Sequence, residues 1–159
     1  NTYPAVANQV IGEIGIDVDR YSDAPHRKLL KSLGLGPTTF FDKETFGADF
    51  LADGGFWFTE AMAGAPLSSQ AKAELERLTA DEEDYLVGMT AAERRAIIES
   101  LSWRDYLEKY AGVGDEVLTF VQKWSHGVLE NGADALPAWM DWLEGYPGFA
   151  GMDICYPDE

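Results

Sequence analysis

Cysteine is nearly absent. Cys155 stands alone, so neither an internal disulfide nor a thiolate metal cluster can form. Histidine is almost as scarce. With only His26 and His126, a His-Glu-x-x-His zinc motif and a three-histidine site are both excluded. No apolar run approaches the roughly 20 residues of a membrane span. Glycine is present but not in phosphate-binding order: there is no Gly-x-Gly-x-x-Gly after a strand and no Walker loop. Nor is there a Gly-x-Ser-x-Gly elbow, and Ser125 beside His126 is a sequence neighbour rather than a nucleophile–base pair. Asp17, Asp19 and Asp23 approach calcium-loop spacing. The pattern fails because Ser22 fills the glycine position and Lys28 the position of the bidentate glutamate. Positive charge is short too: 12 Lys and Arg face 28 Asp and Glu, a net charge of −16. Such a field repels phosphate backbones, so no nucleic-acid partner is expected; it suits cationic ligands, although keeping a protein soluble is the ordinary role of such surface charge.

What the chain does hold is core-forming residues. Hydrophobic residues make up 46% and aromatics 13% of 159 positions, enough for a folded domain and too rich for a disordered chain. Helical periodicity dominates. Val6, Val10 and Ile14 recur at every fourth position before Gly15. Pro25 suits a first helical turn, Leu29, Leu30 and Leu33 make one stripe, and Gly34 can end it. Leu67, Ala71, Leu75 and Leu78 share a face after a Ser68 or Ser69 cap. Thr90 with Glu93 forms a capping box ahead of Ile97, Ile98 and Leu101, and Ser102 with Asp105 a variant ahead of Trp103, Tyr106, Leu107 and Tyr110. A helix from Asp115 is expected to align Val117, Val121, Trp124 and Val128, and a last one from Pro137 carries Trp139, Met140, Trp142 and Leu143. The acidic cluster from Asp81 to Asp84 reads as a solvated helix start.

One region reads as strand. TTFF (38–41) and FGADFL (46–51) flank a polar turn, although Asp42 would serve equally as the cap of a single helical turn. The expected fold is therefore mainly α, one multi-helix domain over 1–159 with a short β-hairpin near residues 38–51. A two-stranded hairpin is marginal by itself and must pack on helices or join other strands.

No catalytic constellation emerges, no metal site is expected, and the catalytic residues are unassigned. The aromatics remain. Phe56, Trp57 and Phe58 lie near Glu60, and Trp139, Trp142, Tyr146 and Phe149 lie near Asp141 and Glu144. Aromatic faces beside carboxylates suit an organic cation, although packing in a core is the ordinary role of such side chains.

Three stretches carry more. SLGLGPTTFFDKETFGADFL (32–51), LSWRDYLEKYAGVGDEVLTFVQ (101–122) and SHGVLENGADALPAWMDWLEGYPGFAGM (125–152) occur in this order. Together they resemble the middle region of bacterial FAD-dependent amine-oxidase-like oxidoreductases, the group that includes spermidine dehydrogenase. The resemblance runs from about residue 10 to 153. It implies a substrate-side, helix-rich segment set between flavin-binding segments of a larger flavoenzyme, either a fragment or an insert. The FAD would sit in the full-length protein, bound by the missing FAD-binding portion, with no cofactor-binding residue in this chain. The chain alone is expected to be inactive. A cationic amine, such as a polyamine, would be the substrate, and Trp57, Glu60 and His126 are the candidate substrate-binding residues. Cytoplasm and periplasm both stay open. The alternative is a free-standing acidic helical module for protein interaction.

Overall fold

The computed structural model describes residues 4–18, 20, 25–53 and 60–154. It is mainly helical with one antiparallel hairpin, as the periodicity predicts. By backbone contacts the chain divides into two compact units, residues 1–37 and 38–159.

The first unit holds helix α1 (Ala5–Glu13) and helix α2 (Pro25–Ser32). Gly15 and Gly34 follow them with positive φ, where a left-handed residue closes each helix. Both helices form where the sequence pattern places them. The expected Ser22 or Asp23 cap of α2 lies outside the described residues. None of the described side chains in this unit is buried. Val6, for instance, is 74% exposed.

The second unit begins with strand β1 (Thr38–Phe41), a single helical turn α3 (Lys43–Phe46) and strand β2 (Phe50–Asp53). The two readings of this stretch are both realised. The strands pair antiparallel, from Thr38 opposite Asp53 to Phe41 opposite Phe50, and Asp42 caps the turn between them. The Asp42 Oδ1 accepts the Thr45 N–H at 2.8 Å, and Gly47 ends the turn at φ 82°. The second strand starts at Phe50 rather than Phe46, because residues 43–46 are spent on the helical turn. Alternation then decides the faces: Phe41 and Ala52 point into the core, while the cross-strand pair Phe40 and Leu51 points out, 61% and 60% exposed.

A 3-10 turn (Glu60–Gly64) leads to helix α4 (Ser69–Ala80). Ser68 caps α4 by accepting the Ala71 N–H at 3.1 Å, and the predicted stripe Leu67, Ala71, Leu75 and Leu78 is buried. Helix α5 (Ala91–Ser100) opens on the predicted capping box, with the Thr90 side chain and Glu93 bonded reciprocally. Helix α6 (Trp103–Tyr106), capped by Ser102, runs into a π-helical turn (Leu107–Ala111) that ends at Gly112. Helix α7 (Asp115–Val121), helix α8 (His126–Leu129) and helix α9 (Ala138–Leu143) complete the unit.

Two expectations fail here for identifiable reasons. The stripe from Asp115 breaks after Val121: Trp124 is buried beyond the helix end, and Val128 is exposed on the separate α8. The acidic cluster is not a solvated helix start. Asp81 closes α4 in the left-handed conformation, φ 49°, and its Oδ1 accepts the N–H groups of Gly148 and Phe149 at 2.8 and 3.1 Å. Asp84 takes Arg94 in a two-pronged ion pair at 3.0 and 2.6 Å, and the same guanidinium donates to the Gly151 carbonyl at 2.8 Å. These carboxylates clamp the C-terminal segment onto the helices.

The core of the second unit is aromatic at its centre. Trp103 packs against Trp124 and Tyr146, with ring centroids 5.8 and 5.2 Å apart. Tyr106 stacks on Phe149 at 4.9 Å and donates its hydroxyl to the Gly148 carbonyl at 2.7 Å. Gly148 has to be glycine: its φ is 101°, and a Cβ there would lie 2.9 Å from Leu107 Cδ2.

Candidate functional site

A half-open cleft of about 400 Å³ lies in the second unit. That volume falls in the range of ligand pockets, which is roughly 300–1,000 Å³. One wall is β1, contributing Thr38, Thr39 and Phe40. The facing wall is Thr119 and Phe120 of α7 with Lys123 and Trp124 just beyond it. The capped turn α3 adds Thr45 and Phe46, with Asp42 at its start.

Local sequence explains this arrangement. Thr119 and Lys123 stand four residues apart, as do Phe120 and Trp124, so the helix end carries a polar row beside an aromatic one. The aromatic row forms the floor. Phe120 stacks on Phe41 of β1 at 5.3 Å with nearly parallel rings, and Trp124 meets Phe120 edge-on at 5.5 Å. This stack fixes the spacing between hairpin and helix, and with it the width of the cleft. Thr45, through its side-chain and backbone donors, holds the Asp42 carboxyl below the usual carboxylate range, and the Lys123 charge adds to the effect. The cleft therefore carries a carboxylate and an ammonium that partly offset each other, above an apolar floor.

A second polar feature lies deeper. Ser125 donates its hydroxyl to Asp141 Oδ1 at 2.6 Å, and each residue is 1% exposed. Burial pushes the Asp141 carboxyl up to about 6, and the Ser125 hydrogen bond opposes the shift only in part. Tyr146 hangs above, donating its hydroxyl to the Trp124 carbonyl at 3.1 Å. This pair joins α8 to α9 and is closed to solvent. Of the two roles open to the aromatic cluster around Asp141, a cation site or core packing, Asp141 takes the packed one: the apolar face of α9 is half-buried or exposed, and its buried positions are Ala138 and Asp141.

The candidate substrate-binding residues are not brought together among the described residues. Trp57 lies outside them. Glu60 opens the 3-10 turn, but its side chain lies outside them as well. His126 opens α8 as an exposed residue. His26 falls in the first turn of α2, with its side chain outside the described set, and Cys155 also lies outside it. Sequence reasoning missed the cleft. The available signal was the doubled four-residue spacing at Thr119, Lys123, Phe120 and Trp124, which reads equally well as core.

Among the described residues, no group of three or more His, Cys, Asp or Glu could hold a metal ion. No helix among them is long and apolar enough to cross a membrane. No protein-family model matches the chain, and no curated protein matches it.

Proposed function

We propose that this chain is the substrate-side portion of a flavin-dependent amine oxidoreductase that acts on a cationic amine, polyamines included. The observation that carries the proposal is the ordered set of three stretches resembling that family, together with how they meet. Phe41 of the first stretch stacks on Phe120 of the second, and Trp103 and Tyr106 of the second pack on Tyr146 and Phe149 of the third. The charge of −16 also suits a cationic substrate by long-range attraction.

FAD does not fit the residues present. A dinucleotide site needs a parallel sheet and a glycine-rich turn opening a helix, whereas the described residues offer one antiparallel hairpin. In this proposal the flavin and the reacting atoms belong to another part of the enzyme, and the present chain supplies walls that orient the amine and exclude water.

The test is to express the complete reading frame that contains this segment. The expected product is a yellow flavoprotein whose flavin absorbance bleaches when spermidine is added without oxygen. The 159-residue chain alone should stay colourless after incubation with FAD and desalting. A reading frame limited to this segment, or a full-length product without flavin, removes the proposal.

A second reading, an acidic helical interaction module, is favoured by the outward Phe40 and Leu51. Size-exclusion chromatography separates the two: the module should co-elute with a partner protein when no flavin is present.

A further inference from the structure

The cleft beside β1 holds two opposite charges that are not joined to each other. Asp42 and Lys123 both line it. The capped turn fixes the Asp42 carboxylate, whose Oδ1 accepts the Thr45 N–H at 2.8 Å and which stays ionised well below neutral pH. A carboxylate offers about four acceptor sites, and the cap takes only part of them. Lys123 stands just beyond the end of α7, near enough for its charge to act on Asp42. Yet no ion pair joins the two, and among the described residues the Lys123 ammonium has no hydrogen-bond partner. An exposed lysine is ordinarily no more than a solvated charge. This one shares a cavity with a fixed carboxylate and an aromatic floor. The floor is held ready by Phe41, which meets Phe46 edge-on at 5.0 Å and stacks on Phe120 at 5.3 Å. Groups already fixed in place cost little to order when a ligand arrives.

Charge then chooses among ligands. A plain anion would pair with Lys123, but the net charge of −16 repels it. A polyamine would suit that net charge, but in this cleft it meets the Lys123 ammonium. A zwitterion gives the long-range field no net charge to act on and answers both local groups. We infer that the cleft binds a free α-amino acid with an apolar side chain, its ammonium on Asp42, its carboxylate on Lys123 and its side chain on Phe46 and Phe120. The hydroxyls of Thr38 and Thr119 at the rim supply further donors and acceptors for the same polar end. The volume of about 400 Å³ lies towards the small end of the pocket range, which suits a ligand of this size better than a dinucleotide. Every group of the site belongs to this chain, so binding requires no flavin and does not depend on the oxidoreductase reading.

An amide NMR titration of the isotope-labelled 159-residue chain with L-phenylalanine, at physiological salt, tests it. Saturable shifts at Thr38, Thr119 and Lys123 are expected, with a Kd of about 1 mM or below. Phenethylamine lacks the carboxylate, phenylpropionate lacks the ammonium and alanine lacks the ring. Each should bind at least about tenfold more weakly than phenylalanine. Lys123→Met should weaken phenylalanine about tenfold and leave phenethylamine no weaker. Asp42→Asn keeps the helix cap, because asparagine caps as well as aspartate. It should weaken phenylalanine about tenfold and leave phenylpropionate no weaker. Unchanged urea unfolding curves show that both variants are folded, and the ligand series on the unaltered chain stands without them. Absence of saturable shifts at the cleft overturns the inference. So does equal binding of phenethylamine and phenylalanine, or full phenylalanine binding by folded K123M.

Discussion

The first 37 residues and the rest of the chain solve different physical problems. Of the 12 basic residues, Arg20, Arg27, Lys28 and Lys31 fall in the first region, and of the 28 acidic ones so do Glu13, Asp17, Asp19 and Asp23. That region is neutral, and the remainder carries the whole −16. The neutral region has well-formed amphipathic patterns, yet none of its described side chains is buried. The charged region buries Leu75, Leu78, Ile98 and Trp103 completely, or nearly so. Helical periodicity is thus satisfied in both, but among the described residues only the second region buries side chains in a core. Isolated helices of this length are marginal in water, so α1 and α2 draw little stability from packing, while α4 and α5 draw most of theirs from it.

The sharpest test of that contrast is Trp103→Ala. Trp103 is fully buried, touches Trp124 and Tyr146, and its indole N–H reaches the Pro147 carbonyl at 3.3 Å. Its loss should cost about 3–5 kcal/mol in urea unfolding. A cost under about 1 kcal/mol would mean that the second region lacks the close packing described.

Next comes Asp141, whose carboxyl is raised from 3.8 to about 6 by burial. A raised acid binds its proton more tightly in the folded state than in the unfolded one. Its contribution is therefore most favourable below about pH 4, declines as pH rises towards 6, and is level above. Asp42, Asp84 and Glu93 are shifted downwards and act in the opposite sense, so the quantity to measure is a difference. Wild type minus Asp141→Asn should fall by up to about 3 kcal/mol between pH 4 and pH 7. A flat difference would show that Asp141 is hydrated in solution.

Thr90→Ala removes the capping box of α5 and should cost about 1 kcal/mol, read from the urea midpoint at constant slope. Smallest of all, Leu30→Ala in α2 should stay within about 0.5 kcal/mol, because that side chain is exposed. If Leu30→Ala cost as much as a core substitution, the two regions would differ in charge alone and the comparison would fail.

Local chemistry was readable wherever a residue acts on its own neighbours. Ser68, Thr90 and Ser102 cap helices because a side-chain oxygen reaches an N–H three residues on, and that geometry needs nothing from the rest of the chain. The stripe of α4 was equally plain. The failures share one cause, contact across long separations. Asp81 was read as a helix start, yet its partners are the amides of Gly148 and Phe149. Asp141 lies in an aromatic cluster that suits either a cation or core packing, and its partner Ser125, 16 residues away, holds it inside. The cleft is not legible because its walls, β1 and the end of α7, lie far apart in sequence and meet through tertiary contacts such as the stacking of Phe41 on Phe120. Of the candidate substrate residues, His126 is exposed, while Trp57 and the Glu60 side chain lie outside the described residues.

The sequence by itself determined the helical character, most helix starts and stops, and the place of the hairpin, since periodicity, caps and left-handed glycines act within a few residues. Only the tertiary structure decided which carboxylates are clamps and which aromatics are floor, and that β1 and the end of α7 flank an open cleft. Those outcomes depend on segments far apart in sequence meeting in space, and the free energy that selects the meeting is collective burial, which no single segment encodes.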